Sequence, residues 1–371
     1  MKVAVLGGYA PSLPHFRGPM IRAMVQAGHE VVAMAPGHDP VIVEKLAALG
    51  ASYREVPLGR TGMNPLEDLK SIQALTATFR EVRPDLLLSY TIKPVIYGSI
   101  AAARAGVPRR HAMITGLGSA LMGEGFKMRC ISAVTRFLYR RGMARNQGVF
   151  FQNPDDRAFF EGQGLLPADI AVTLINGSGV DLAHFTPAPL PEGPTTFLLV
   201  ARLTRDKGLL EYVEAARLVK AKHPEVRCQI LGMLDTNPTA ISKAEVDAWQ
   251  AEGVIEYLGT TKDVRPFLAA AHAMVLPSYG EGTPRSVLEA MATGRAIVTT
   301  TAPGCKETVV PGENGFLVPV KAPAALAAAM LSLIEDEGLL RRMGAASLRM
   351  AQDKYDVHKV NAVILGALGL Q

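Results

Sequence analysis

Short apolar runs of strand length alternate with longer helical patterns from end to end of the chain, and one proline-rich stretch interrupts the rhythm. Alternation of this kind points to parallel sheets with helices on both faces. In the first half the strand candidates are Lys2–Leu6, Glu30–Ala35, Ser52–Val56, Leu86–Ser89, Arg110–Ile114 and Gly148–Gln152, with helical patterns such as Met20–Gln26, Val41–Leu49 and Leu66–Glu81 between them. The second half repeats the plan with Thr196–Val200, Arg227–Leu231, Val254–Leu258, Ala273–Pro277 and Ala296–Thr299. Between the halves lies Thr186-Pro187-Ala188-Pro189-Leu190-Pro191-Glu192-Gly193-Pro194. Prolines at that density continue neither a helix nor a central strand. The stretch reads as an interdomain linker or as a surface loop inside one domain, and the restart of the strand–helix rhythm after it favours the linker. At 371 residues, two cores are expected rather than one. The expected domains are 1–185 and 195–352, joined by 186–194, with 353–371 returning to the first through a helix at Val357–Leu370.

The apolar run at Lys2–Leu6 is too short for a signal peptide, and the pair Gly7-Gly8 stops it where a strand would turn. Nothing reaches the ~20 apolar residues of a membrane span. Cys130, Cys228 and Cys305 are widely spaced and form no CxxC or Cys/His pattern, so a disulfide framework or a zinc site has no support. A reducing, cytoplasmic setting follows as an expectation.

Positive charge is concentrated. Arg104, Arg109, Arg110, Lys127, Arg129, Arg136, Arg140, Arg141 and Arg145 face Glu124 alone within their segment, so outside it the chain is net acidic although its total is +5. Within 127–145, Ile131, Val134, Phe137 and Leu138 can form an apolar stripe beside these arginines. Two readings stand: an amphipathic basic helix lying on anionic lipid, or a core-facing helix with a solvated basic face. Nucleic acid is disfavoured, since no aromatic interleaving or recognition motif accompanies the charge.

In open parallel sheets, ligands bind beyond the carboxyl ends of the strands, and the densest motif falls there. Ser278-Tyr279-Gly280-Glu281-Gly282-Thr283-Pro284-Arg285-Ser286-Val287-Leu288-Glu289-Ala290-Met291 follows a strand and opens a helix. Thr283 is expected to cap that helix and Pro284 to occupy its first position. The glycines admit a ligand close to the backbone, and the first N–H groups of the helix attract a diphosphate. Glu281 in the loop and Glu289 in the helix can accept hydrogen bonds from sugar or ribose hydroxyls. A bland alternative is a capped helix carrying one exposed and one half-buried glutamate. A second motif, Leu199-Val200-Ala201-Arg202-Leu203-Thr204-Arg205-Asp206-Lys207-Gly208, ends the first strand of the second half in fixed cations. Cations so placed stabilise charge developing on a departing phosphate.

Together these segments resemble the retaining, GT-B-fold glycosyltransferases of family 4, with their Glu-X7-Glu signature and their Arg…Lys-Gly turn. The resemblance implies two facing Rossmann-like domains with parallel sheets. It assigns Arg202 and Lys207 to the donor diphosphate, Glu281 to the donor sugar and Glu289 to the ribose, with Gly282, Thr283, Ser286 and Val287 beside them. Gly8 ends the first strand where family members bring glycine backbone near the donor phosphate. Asn176-Gly177-Ser178-Gly179-Val180-Asp181 with Phe185 resembles the family's N-G-V-D segment, and Glu313-Asn314-Gly315-Phe316 its G-x-N-G turn. One departure is plain: where many members carry His-Gly, this chain has Thr115-Gly116, and His111 would point elsewhere on a regular strand. The carry-over of a catalytic histidine is therefore withheld.

Thr91-Ile92-Lys93-Pro94 and Thr115-Gly116-Leu117-Gly118 resemble a branch acting on polyprenyl-diphosphate-linked sugars at the inner face of bacterial membranes. That likeness implies a UDP-sugar donor as co-substrate without a cofactor, a lipid-linked acceptor near His15, Arg17, Lys93 and Thr115, and peripheral attachment to the membrane. A DxD motif is absent, which agrees with a metal-free reaction. Rival readings are a nucleotide-sugar epimerase on the same fold and a non-catalytic binder of lipid or glycan. A nicotinamide dehydrogenase fits worse, since Gly7-Gly8 lacks the GxGxxG spacing.

Overall fold

A computed structural model describes the chain except for residues 60–63, 119, 120, 122–124, 236 and 238. It divides into two compact units, residues 1–178 with 357–371 and residues 179–356.

In the first unit seven parallel strands, β1 (Lys2–Leu6), β2 (Glu30–Ala35), β3 (Ser52–Glu55), β4 (Leu86–Tyr90), β5 (Arg109–Ile114), β6 (Gly148–Phe151) and β7 (Ala171–Leu174), lie in the order β3-β2-β1-β4-β5-β6-β7. Apolar runs such as Val3-Ala-Val-Leu6 and Leu86-Leu-Leu88 are buried on both faces, as central parallel strands require. The terminal helix Val357–Leu368 belongs to this unit. It places Val360, Ile364, Leu365 and Leu368 in the core with Val3, Val5 and Leu88, and the Arg109 guanidinium donates to the Leu368 carbonyl.

The second unit holds six parallel strands: β8 (Thr196–Val200), β9 (Arg227–Leu231), β10 (Glu256–Tyr257), β11 (Ala273–Leu276), β12 (Ala296–Thr300) and β13 (Gly315–Val318), in the order β10-β9-β8-β11-β12-β13. Each sheet reverses its winding direction at one place, between β1 and β4 and between β8 and β11. Loops diverge there and open a crevice at the carboxyl ends. β8 and β11 pair only at Phe197 with Ala273 and Leu198 with Met274, so their carboxyl ends are unpaired with each other.

Two strands were not anticipated. β7 is an edge strand with half-exposed side chains, and β13 begins on a glycine that reads as a turn. The unit boundary also falls earlier than the proline-rich 186–194. That stretch is built into the second unit, because its carbonyls and few N–H groups find partners there. The Ala188 N–H donates to the Thr293 carbonyl at 3.2 Å, and fully buried Arg295 donates to the Pro189 carbonyl at 2.8 Å. Leu190 packs against the core. At the other end, the helix Glu337–Lys354 runs through the expected break at 352/353, and the chain leaves the second unit after Asp356.

The basic segment forms the helix Phe126–Met143 in the first unit. Its inner face is Ser132, Thr135, Tyr139 and Met143, all buried. The expected apolar stripe is divided: Leu138 packs on the core while Val134 and Phe137 face solvent. Arg136 donates to Gln163 Oε1 at 2.6 Å, and Arg140 to the Gln163 and Gly164 carbonyls, both at 2.9 Å, just beyond the helix Pro154–Gly162. Glu124 and the Lys127 side chain lie outside the described residues. Among the described residues no helix is long and apolar enough to cross a membrane.

Candidate active site

The crevice of the second unit is assembled by two loops locked to each other. After β8 the chain makes a short 3-10 turn, Arg205–Lys207, ended by Gly208 at φ +73°. A Cβ on Gly208 would stand 2.1 Å from the Pro277 carbonyl oxygen, so only glycine lets this turn approach the end of β11. The contact is reinforced by the Tyr279 N–H donating to the Asp206 carbonyl at 2.9 Å and by Ser278 Oγ donating to the same oxygen at 3.2 Å. Lys207 is thereby carried to Glu281, Nζ to Oε1 2.5 Å, with both side chains largely buried. Glu281 is steadied from a third strand end, its N–H donating to the Pro303 carbonyl at 2.9 Å.

Arg202, Lys207, Glu281, Pro284, Arg285 and Ser286 line one cavity of about 110 Å³ with Val200, Ala201 and Leu276. Sequence reasoning brought most of these together but missed two partners. Asp235, in the loop after β9, meets Arg202 with Nη1 to Oδ2 2.6 Å, and its other oxygen accepts from the Asn237 N–H at 3.2 Å. Its place just beyond a strand end was its sole signal. Arg285 Nε donates to Glu289 Oε1 at 2.9 Å, and burial raises the Glu289 carboxyl's pKa while Arg285 opposes the rise.

The helix after the loop is Arg285–Ala292, with Pro284 rather than Thr283 at its N-cap and no side-chain cap. An extended Pro284 (ψ 107°) precedes the first helical residue instead of occupying it. The helix opens at the cavity, which Arg285 and Ser286 line. The Val287 side chain is in the core and its N–H donates to the Pro284 carbonyl at 3.1 Å. Gly282 is buried and Thr283 half-buried in the same loop.

In the first unit, Gly8 and Thr91 stand at the ends of the switch strands β1 and β4, and Thr91 adopts φ +68°, a strained state for a β-branched residue. Arg17 is buried, stacks over the Tyr90 ring at 4.9 Å and donates to Ser178 Oγ at 3.0 Å. Lys93 is held by Asp68 at 2.9 Å, and Tyr97 donates to the same carboxylate at 2.8 Å. His15 is exposed and Thr115 half-buried after β5. His111 is a core residue, close to the Phe150 ring; burial, then Arg109 and Arg110, push its pKa down to about 4.

Comparison with known proteins then decides the family. The profile described as Glycosyl transferases group 1 matches residues 194–336, and that of a Glycosyl transferase 4-like domain matches residues 17–177. The chain is 30% identical to the N,N'-diacetylbacillosaminyl-diphospho-undecaprenol alpha-1,3-N-acetylgalactosaminyltransferase of Campylobacter jejuni, over 96% of this chain and 95% of the relative. The chain belongs to the group 1, GT4-like glycosyltransferases. A UDP-Gal:alpha-D-GlcNAc-diphosphoundecaprenol alpha-1,3-galactosyltransferase of Escherichia coli is 24% identical to this glycosyltransferase over 76% of the chain and 75% of the relative. Its fold is GT-B. HepE of Anabaena, solved in complex with UDP, matches with a TM-score of 0.78 at 18% identity, covering 100% of both chains. Sucrose-phosphate synthase of Thermosynechococcus elongatus matches at 0.79, with 18% identity over 100% of this chain and 98% of that one. Membership of this family sets aside the epimerase and dehydrogenase readings.

Proposed function

We propose that this glycosyltransferase moves a hexose or N-acetylhexosamine from a UDP-sugar to a polyprenyl-diphosphate-linked saccharide, with retention and without a metal. The observation that carries the reading is the cavity where Arg202 and Lys207 converge beside Glu281 and the opening turn of a helix. Two fixed cations and oriented N–H groups match a diphosphate and offset the charge that grows on it as the sugar leaves. Glu281 then holds the donor sugar and Glu289 the ribose. The departing phosphate accepts the proton of the acceptor hydroxyl, so no enzymic base is required. Both relatives named above act on undecaprenyl-diphosphate-linked sugars and make alpha linkages, and the HepE structure contains UDP; these support the acceptor class, the stereochemistry and the nucleotide.

The acceptor lipid implies work at a membrane surface, on the cytoplasmic face. The outer face of the helix Phe126–Met143 suits it, with exposed Phe126, Val134 and Phe137 beside Arg129, Arg141 and, just past the helix, Arg145. Each basic residue near an anionic surface contributes about 1 kcal/mol.

The test is UDP release by the purified protein across UDP-hexoses and UDP-N-acetylhexosamines, with EDTA, with and without a membrane extract containing polyprenyl-diphosphate sugars. Release that needs the extract and survives EDTA is expected. Release abolished by EDTA and restored by a divalent cation would overturn the metal-free reaction. No release with any donor, alongside lipid binding, would favour a non-catalytic binder.

A further inference from the structure

The ion pair between Arg285 and Glu289 is not explained as a helix-stabilising device. Arg285 is the first residue of its helix and Glu289 stands four residues later. A cation in the first turn opposes the helix dipole, and the favoured order of an i,i+4 pair places the acid first. The side chains are nonetheless held together at 2.9 Å and largely withdrawn from solvent, 26% and 13% exposed. Arg285 also lines the cavity shared with Arg202, Lys207 and Glu281.

We propose that Arg285 is a positioning residue for nucleotide recognition: it holds the Glu289 carboxylate ionised and turned toward the ribose. The inference rests on the donor-site reading above. A carboxylate has about four lone-pair sites, so one N–H from Arg285 leaves capacity for the two ribose hydroxyls. Burial works against the charge that this task needs. β11 and β12, packed on the helix, carry no charged residue, and Met350 and Ala351 of Glu337–Lys354, which share its apolar cluster, are uncharged. Among the described residues, Arg285 is the charged group acting on Glu289. Without it the carboxyl takes up a proton at higher pH and loses acceptor capacity.

Calorimetric titration of the full chain with UDP and with 2′,3′-dideoxy-UDP, at pH 8 and pH 6, tests this. Wild type should prefer UDP. In Arg285→Met that preference should shrink by roughly ten- to a hundredfold, the scale of a hydrogen bond to a charged group, and shrink further at pH 6. Arg285→Lys, which keeps the charge, should retain most of it. Arg285→Gln provides the same comparison should the Met variant fail to fold. Equal weakening of UDP and dideoxy-UDP, or no weakening of either, would overturn the inference. A wild-type chain binding none of UDP, ADP and GDP would instead remove the donor-site reading beneath it.

Discussion

Asp235, beyond β9, grips Arg202, beyond β8, with Oδ2 2.6 Å from Nη1. The arginine is about half exposed while the carboxylate is mostly covered, so the acid is the fixed member and the arginine the one that needs fixing. Asp235→Ala should lower kcat/KM for the donor by about tenfold, or roughly 1.4 kcal/mol of transition-state stabilisation. Arg202→Ala should cost more, roughly 10²–10³-fold in kcat, the scale for removing one group that stabilises developing charge. Initial rates of UDP release check both; the same loss from both variants would mean that Asp235 does more than position.

Gly304, at φ +78°, lies beneath the Glu281 loop, and a Cβ there would meet the Glu281 carbonyl oxygen at 2.1 Å. Gly304→Ala should therefore displace the loop as well as strain its own backbone. Gly253, at φ +74° with nothing within 4 Å of a Cβ, isolates the backbone effect. Gly253→Ala should cost about 1–2 kcal/mol and leave activity unchanged. Gly304→Ala should cost more and also weaken donor turnover. Thermal melting with UDP-release assays on the two variants distinguishes loop displacement from strain.

The arginines of the helix Phe126–Met143 should separate into two classes. Arg136 and Arg140 bond Gln163 and Gly164 within the first unit, whereas Arg141 lies over the Phe137 ring at 5.0 Å on the outer face. Arg141→Glu with Phe137→Ser should release the protein from vesicles of anionic phospholipid without lowering its melting temperature. Arg140→Ala should lower the melting temperature and leave most binding intact. Vesicle co-sedimentation at low and high salt reads the first effect and calorimetry the second.

His111 is neutral in the fold, with its pKa held near 4 by burial and by Arg109 and Arg110. An unfolded chain would bind this proton near the ordinary histidine value of about 6.5. Between pH 6.5 and 4 the unfolded state thus carries more protons, and stability falls as pH falls through that window. His111→Phe should flatten the decline, by a few kcal/mol at most at its acid end. Melting temperatures of the two proteins from pH 7 to pH 4.5 test the slope.

Much of this was legible in the chain itself because the signals are local. A buried central strand such as Leu86–Tyr90 must be apolar along its length, and the loop from Ser278 to Glu289 has its strand, glycines and helix start contiguous in sequence. That Lys207 meets Glu281 was not legible, since it depends on β8 lying beside β11 in the sheet. Edge elements were less legible: β7 buries too little to leave an apolar run, and β13 opens on glycine. The proline-rich segment looked free because prolines lack N–H donors, yet its Pro189 carbonyl is bonded by Arg295, far along the chain.

What the sequence alone determined is most of the order of strands and helices and the two-unit plan, since periodicity and turn residues act over a few residues. The tertiary structure decided which charges meet. Asp235 with Arg202, Asp68 with Lys93 and Arg136 with Gln163 join residues 25 or more positions apart. No local spacing encodes such pairs, because packing of whole elements sets the direction in which each side chain points.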